Sequence, residues 1–204
     1  MKARDLKRLT AGADAGSRSA AAALEGAARD GGLLDVAIAE TDSPVGSLLV
    51  AVTKRGIARV AFEGEDRDSV LADLAARLSP RVLESQAATD DVRRELAEYF
   101  ERRRHEFDLP VDFSLVHGFG VRTLRATAKI PYGAVTTYGD LAQRVGSPRA
   151  ARAIGNALGS NPVPIVVPCH RVLRTGGGLG GYGGGVERKA MLLQLEGVLS
   201  PGGD

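Results

Sequence analysis

Between residues 35 and 62 the apolar positions come in short runs or alternate with polar ones, a strand pattern rather than a helical one. Val36 and Ile38 mark one strand, and Leu48-Leu49-Val50-Ala51-Val52 a second. Asp42-Ser43-Pro44-Val45-Gly46 and Lys54-Arg55-Gly56 supply turns, and Ile57 to Phe62 a third strand. The segment therefore reads as a β-ribbon. The period then lengthens to that of a helix. Val70, Leu71, Leu74 and Leu78 share a face near 68–78, and Val92, Leu96, Tyr99 and Phe100 share one near 90–104. Residues 108–118, with one Pro and one Gly, read as a linker.

Beyond the linker the pattern is helical and punctuated. A helix is expected near 121–129. Thr137-x-x-Asp140 is a capping-box-like start for a short helix through Val145, which Gly146 ends. Ser147 is placed to cap the next helix, with Pro148 at its first position; that helix runs to Leu158 and stops at Gly159. Two short helices joined by a tight Gly-containing turn form a helix-turn-helix pattern, whose second helix is the one expected to meet DNA. Residues 176–185 form a glycine-dense loop, and a last helix is expected over 186–195. The loop lacks the Lys-Ser/Thr ending of a phosphate-binding P-loop, so a mobile wall over a pocket suits it better. Residues 1–30, rich in Ala, Gly, Arg and Asp, read as a flexible or weakly helical arm. The expected fold class is α/β (α+β): a small β-ribbon or sheet with helices over 31–112, then a mostly helical helix-turn-helix domain over 113–204 that carries the active site.

Composition adds limits. With 204 residues, 44% of them hydrophobic, the chain suffices for one domain or two small ones. No apolar run approaches the roughly 20 residues of a membrane helix. One cysteine and no signal-peptide pattern lead to the expectation of a cytoplasmic protein with no membrane association. The net charge of +2 hides an asymmetry: residues 113–204 hold ten Lys and Arg against four Asp and Glu, so the second half is basic and the first acidic. A basic half suggests a polyanionic partner.

That half also holds the single thiol. Cys169 lies in Pro168-Cys169-His170-Arg171, after the apolar run Ile165-Val166-Val167. Alone, such a cysteine is more often a small buried hydrophobe. Two potential cations beside it, however, are expected to lower its pKa and raise its reactive thiolate fraction.

The surrounding residues extend the pattern. Asn161-Pro162-Val163-Pro164-Ile165-Val166-Val167-Pro168-Cys169-His170-Arg171-Val172 resembles the active-site segment of the O6-alkylguanine-DNA alkyltransferases, the methylated-DNA–protein-cysteine methyltransferases. Ordered blocks continue the resemblance: Pro131-Tyr132-Gly133, Thr137 to Ala142, Pro148 to Gly155, Gly180 to Gly185 and Leu192 to Gly197. It implies single-turnover transfer of an alkyl group from guanine O6, in double-stranded DNA, to Cys169. It implies that His170 takes the thiol proton through a water, that Glu196 orients His170, and that Tyr138 donates to the leaving base. On spacing alone Glu196 reads as a surface acid at a helix end. The resemblance also implies that Asn161 braces the turn that positions the thiol. Tyr182, Gly183, Pro164 and Val172 then line the substrate pocket. Arg152 acts as the finger that fills the gap left by a flipped base, Arg149 contacts a phosphate, and the small Ala150, Ala151 and Ala153 allow close approach in the minor groove. No cofactor and no metal site are implied, and a monomer is expected. Gly183 stands where many relatives have Ser, and Phe119-Gly120 where Phe-Gln is common. The alternative is a lesion-binding protein of the alkyltransferase-like class, which typically has Trp in place of the cysteine. A Cys-His-Glu hydrolase leaves the basic helix-turn-helix unexplained, and a transcription factor leaves the thiol unexplained.

Overall fold

The computed structural model describes residues 34–200, so the arm expected over 1–30 lies outside the described residues. Strands β1 (Val36–Thr41), β2 (Leu48–Thr53) and β3 (Gly56–Phe62) form an antiparallel meander. A short strand, β4 (Val82–Glu84), adds parallel to β1, giving the order β3-β2-β1-β4. The sequence pattern did not signal β4, because three residues with Leu83 and Glu84 exposed carry no alternation.

The sheet is buried on both sides by strict alternation. Leu48 and Val50 face a cluster with Val92, Leu96 and Tyr99, while Leu49 and Ala51 face Val70, Leu74 and Leu115. Ile57 and Val60, three apart, share the first face because the β2–β3 register shifts at Ala51/Val52. The first cluster continues without a break into the second half through Leu124, Leu141, Ile154, Val163, Val167 and Leu192.

The helices are α1 (Arg67–Arg77), α2 (Asp90–Phe100), α3 (Phe119–Thr127), α4 (Tyr138–Arg144), α5 (Ala151–Gly159) and α6 (Val186–Leu195). Asp66 caps α1 by accepting from the Ser69 amide, and Thr137 caps α4 by accepting from the Asp140 amide. Three expectations need correction. Helix α2 stops at Phe100 rather than near 104, because Arg102 turns left-handed (φ 59°). The Arg102 and Arg103 amides then bond back to the Tyr99 and Glu98 carbonyls, a Schellman closure with Arg where Gly is usual. Helix α5 begins at Ala151, not Pro148: Ser147 to Ala150 is a separate turn closed by Ala150 N–H to Ser147 O at 2.9 Å. Helix α3 starts two residues before the expected position.

Residues 108–118 are no bare linker. Residues 110–112 pair with the open edge of β3, Ile57 N–H donating to Pro110 O and Asp112 N–H to Ile57 O, and a 3₁₀ turn, Phe113–Leu115, follows. A Cβ at Gly56 (φ +125°) would fall 1.9 Å from Pro110 O, so only glycine admits this strap. Farther along the same edge, Val60 N–H donates to Pro162 O at 2.8 Å. The sheet edge therefore holds the start of the cysteine-bearing segment.

Candidate active site

The segment from Asn161 to Arg171 is a run of bends held by one side chain. Asn161 Oδ1 accepts from the Val163 amide, and Asn161 Nδ2 donates to Val167 O at 2.9 Å and to Cys169 Sγ at 3.1 Å. Ile165, fully buried, sits at φ 74°. For a β-branched residue this is strained backbone, of a kind that costs on the order of 1–3 kcal/mol and persists only where its surroundings enforce it. Prolines at 162, 164 and 168 and the Val167 N–H to Val163 O bond supply that constraint. Cys169, His170 and Arg171 then form one turn of 3₁₀ helix. Its C-terminal extension, β6 (Val172–Leu173), pairs in parallel with β5 (Thr136–Thr137). This pairing ties the thiol segment to the start of α4 and so to Tyr138.

His170 and Arg171 both turn to Glu196, which follows the last residue of α6. His170 Nε2 is 2.8 Å from Glu196 Oε1. Arg171 donates to both carboxylate oxygens and to Ile130 O, the Gly133 amide donates to Oε2, and the Tyr99 hydroxyl donates to Oε1 at 2.6 Å. Burial raises the Glu196 pKa, but the bonds from His170 and Arg171 more than reverse this and hold it at about 2. An ionised carboxylate only accepts, so His170 carries its proton on Nε2 and leaves Nδ1 as an acceptor. Nδ1 is buried with no hydrogen-bond partner among the described residues. Burial lowers the His170 pKa despite Glu196, so the ring is neutral.

The thiol departs from expectation. Burial pushes the Cys169 pKa up to about 11, against the Asn161 hydrogen bond and the charge of Lys189. The two neighbours expected to activate it do not: His170 is neutral and Arg171 is committed to Glu196. The resting group is a thiol.

A cavity of about 710 Å³ opens onto Cys169 and is lined by Tyr138, Ala151, Arg152, Arg174, Tyr182 and Gly183 among others. A smaller one, about 330 Å³, adjoins it and adds Asn161 and Pro164. Tyr182 stands edge-on to Phe62 and to His170, with ring centroids at 5.8 and 6.4 Å. A Cβ at Gly184 would meet the Phe62 ring at 2.6 Å, so glycine there lets the loop close onto the sheet. Burial raises the pKa of Tyr138 and of Tyr182, so both remain phenols. His170 and Glu196 lie behind the cavity wall, fully or almost fully buried. Val172 lines neither cavity; it is buried in β6, where its carbonyl accepts from Lys189 Nζ at 2.6 Å. Arg152 is exposed in the first turn of α5, and Ala153 beside it is exposed too; Arg149 and Ala150 belong to the turn before the helix.

Comparison with known proteins accounts for both halves. Residues 37–113 match the family described as 6-O-methylguanine DNA methyltransferase, ribonuclease-like domain, and residues 118–198 match its DNA binding domain. A methylated-DNA–protein-cysteine methyltransferase of Methanosarcina barkeri is 35% identical over 156 residues, covering 76% of this chain and 93% of that protein. The chain belongs to the 6-O-methylguanine DNA methyltransferase family. A homologue of the same name from Mycolicibacterium paratuberculosis is 49% identical over 107 residues, 52% of this chain; the match spans 64% of that relative's length. The crystal structure of the Mycobacterium tuberculosis O6-methylguanine methyltransferase superimposes with a TM-score of 0.68 at 35% identity, over 82% of this chain and 96% of that one. A Mycobacterium tuberculosis OGT solved in complex with DNA gives 0.66 at 34% identity, over 80% and 92%.

Within this family fold three side chains at the site had no signal in the sequence patterns. Lys189 lies inside α6, fully buried, with Nζ donating to Val172 O and Leu179 O; burial pulls its pKa down to about 8. Arg188 ties the glycine loop to the sheet by donating to Gly184 O, Val45 O and Glu63 O. Tyr99 carries only an apolar-face signal in α2, yet its hydroxyl bonds Glu196. Adjacent polar residues such as Glu187-Arg188-Lys189 do not show which one turns inward.

Proposed function

We propose that this chain repairs DNA by moving the alkyl group of O6-alkylguanine onto its own Cys169, once per chain. The observation that carries the reading is a thiol on the wall of an open cavity, followed in the chain by a neutral His170 that is bonded to an ionised Glu196. Thiol, base and orienting carboxylate are the set an activated nucleophile needs. His170 Nδ1 takes the thiol proton through a bridging water, and Glu196 stabilises the imidazolium that forms. The thiolate sulfur attacks the alkyl carbon; the S–C bond forms as the C–O6 bond breaks. The guanine departs with the electron pair of that bond, and the Tyr138 hydroxyl supplies the hydrogen bond that eases its departure. The product is a thioether, which no second thiol in the chain can reverse.

A guanine inside a duplex must leave the stack to reach this cavity. Arg152 lines the cavity and is suited to occupy its place, and among the described residues its guanidinium makes no hydrogen bond or ion pair. Arg149 is suited to a neighbouring phosphate, and Ala150, Ala151 and Ala153 keep the approach to the minor groove open. Every residue invoked comes from one chain, so a monomer suffices, and a lone free thiol suits a reducing compartment such as the cytoplasm.

The test is Cys169→Ala. Incubated with alkylated duplex, the variant is expected to give no mass gain by intact-protein mass spectrometry yet to retain preferential binding to the alkylated duplex. Alkyl transfer to the variant overturns the reading.

A further inference from the structure

Tyr99 comes from α2, in the first half of the chain, yet it ends at the carboxylate behind the thiol. No part of it reaches solvent. Its ring packs among Phe100, Phe107 and Tyr132, with centroids 5.3, 5.6 and 6.0 Å away. Its hydroxyl donates to Glu196 Oε1, the same oxygen that faces His170 Nε2. Tyr99, His170 and Arg171 therefore all draw on the charge of that one oxygen. A neutral phenol satisfied elsewhere in the core does not have this property; here each donor weakens the others' share.

We propose that Tyr99 is a positioning residue for alkyl transfer: it fixes which Glu196 oxygen faces His170 and limits the charge that oxygen lends to the imidazole. The proposal rests on the reading that His170 accepts the Cys169 proton. A carboxylate that bonds the ring too strongly favours the imidazolium in the resting protein, and a protonated His170 cannot accept a proton from the thiol. Tyr99 holds that tendency in check. The phenol remains protonated, since burial and the Glu196 charge both oppose its ionisation.

The other charged and titratable groups around this pair are fixed in the same frame. Glu196 is faced by Arg171 from the 3₁₀ turn and by Tyr132, whose hydroxyl donates to Leu195 O. Tyr132 in turn has His105 stacked on it at 4.2 Å and the Arg171 guanidinium 5.8 Å from its ring centre. Arg102 acts on Tyr132 from the end of α2. His170 is faced by Glu196, Arg171 and Lys189, and by the Tyr182 ring. Tyr99→Phe replaces none of these side chains.

The experiment uses the full chain and two readouts over pH 4.5 to 8.5. One is the single-turnover rate of transfer from alkylated duplex; the other is the titration of the His170 ring by NMR without DNA. Tyr99→Phe keeps the ring contacts and removes the donor. Its His170 titration and the acid limb of its rate profile are expected to move up by about half a pH unit. Site-specific 3-fluorotyrosine at 99, a stronger donor, is expected to move both down. Wild-type midpoints in both variants, with rates lowered evenly at all pH, overturn the proposal and leave Tyr99 a packing residue. Should Tyr99→Phe fail to fold, the fluorotyrosine chain, which differs by one atom, still decides. A wild-type chain that transfers nothing overturns the functional reading, while the NMR midpoints still test the coupling of Tyr99 to His170.

Discussion

On the proposed reading Cys169 is shielded at rest and ionised in the reaction, and the residues around it divide those tasks. Burial keeps the proton on sulfur until a base removes it, and a buried thiol resists adventitious oxidation. The cost is a scarce thiolate: the folded pKa of about 11 stands two units above the ordinary value of 9.0. At pH 7 a small haloacetamide is expected to alkylate the folded protein about a hundredfold more slowly than the unfolded chain, with the rate climbing through pH 11. The sign for stability follows. A raised folded pKa favours the fold below pH 9 and withdraws that contribution as pH rises from 9 through about 11. Thermal melts are therefore expected to fall over that window in the wild type and less so in Cys169→Ala. Fast, pH-independent alkylation near neutrality contradicts this picture. The shift was not visible in Pro168-Cys169-His170-Arg171, where adjacency in sequence suggested cations beside the sulfur. In space Arg171 points away, to Glu196.

At the scale of elements, the parts with strong local signals were legible. Thr137 caps α4, and α6 spans the residues its pattern marked. Where two local rules compete, the pattern was ambiguous. Ser147-Pro148 reads equally as a helix start or as the first half of a turn, and the closed turn to Ala150 prevails. Strand β4 and the strap over 108–118 owe their form to partners distant in sequence, β1 and β3, which no local window contains. The turn before α5 leaves Arg152 in the first turn of the helix, lining the cavity. Arg152→Ala is expected to slow repair of duplex by tenfold or more, since flipping a stacked base costs a few kcal/mol. Reaction with the free alkylated base should change less than about twofold, because no base is then flipped. Equal losses on both substrates remove the finger role.

Over the whole molecule, the halves differ in charge yet are joined through one core. The basic half carries the thiol and the exposed Arg149 and Arg152, and the acidic half carries the sheet that anchors Pro162 and the helix that delivers Tyr99. The charge imbalance was legible from sequence. That both halves build one site was not, because the contacts that join them at the site pair residues distant in sequence, such as Val60 with Pro162, Arg188 with Glu63 and Tyr99 with Glu196. The central claim is that this assembled site reacts once and stops. The direct measurement is a titration of alkylated duplex against the intact chain, with transferred groups counted by mass and located by peptide mapping. The expected result is a plateau at one group per chain, on the peptide containing Cys169. Product formation that continues past one equivalent, or a group found on any other residue, contradicts it.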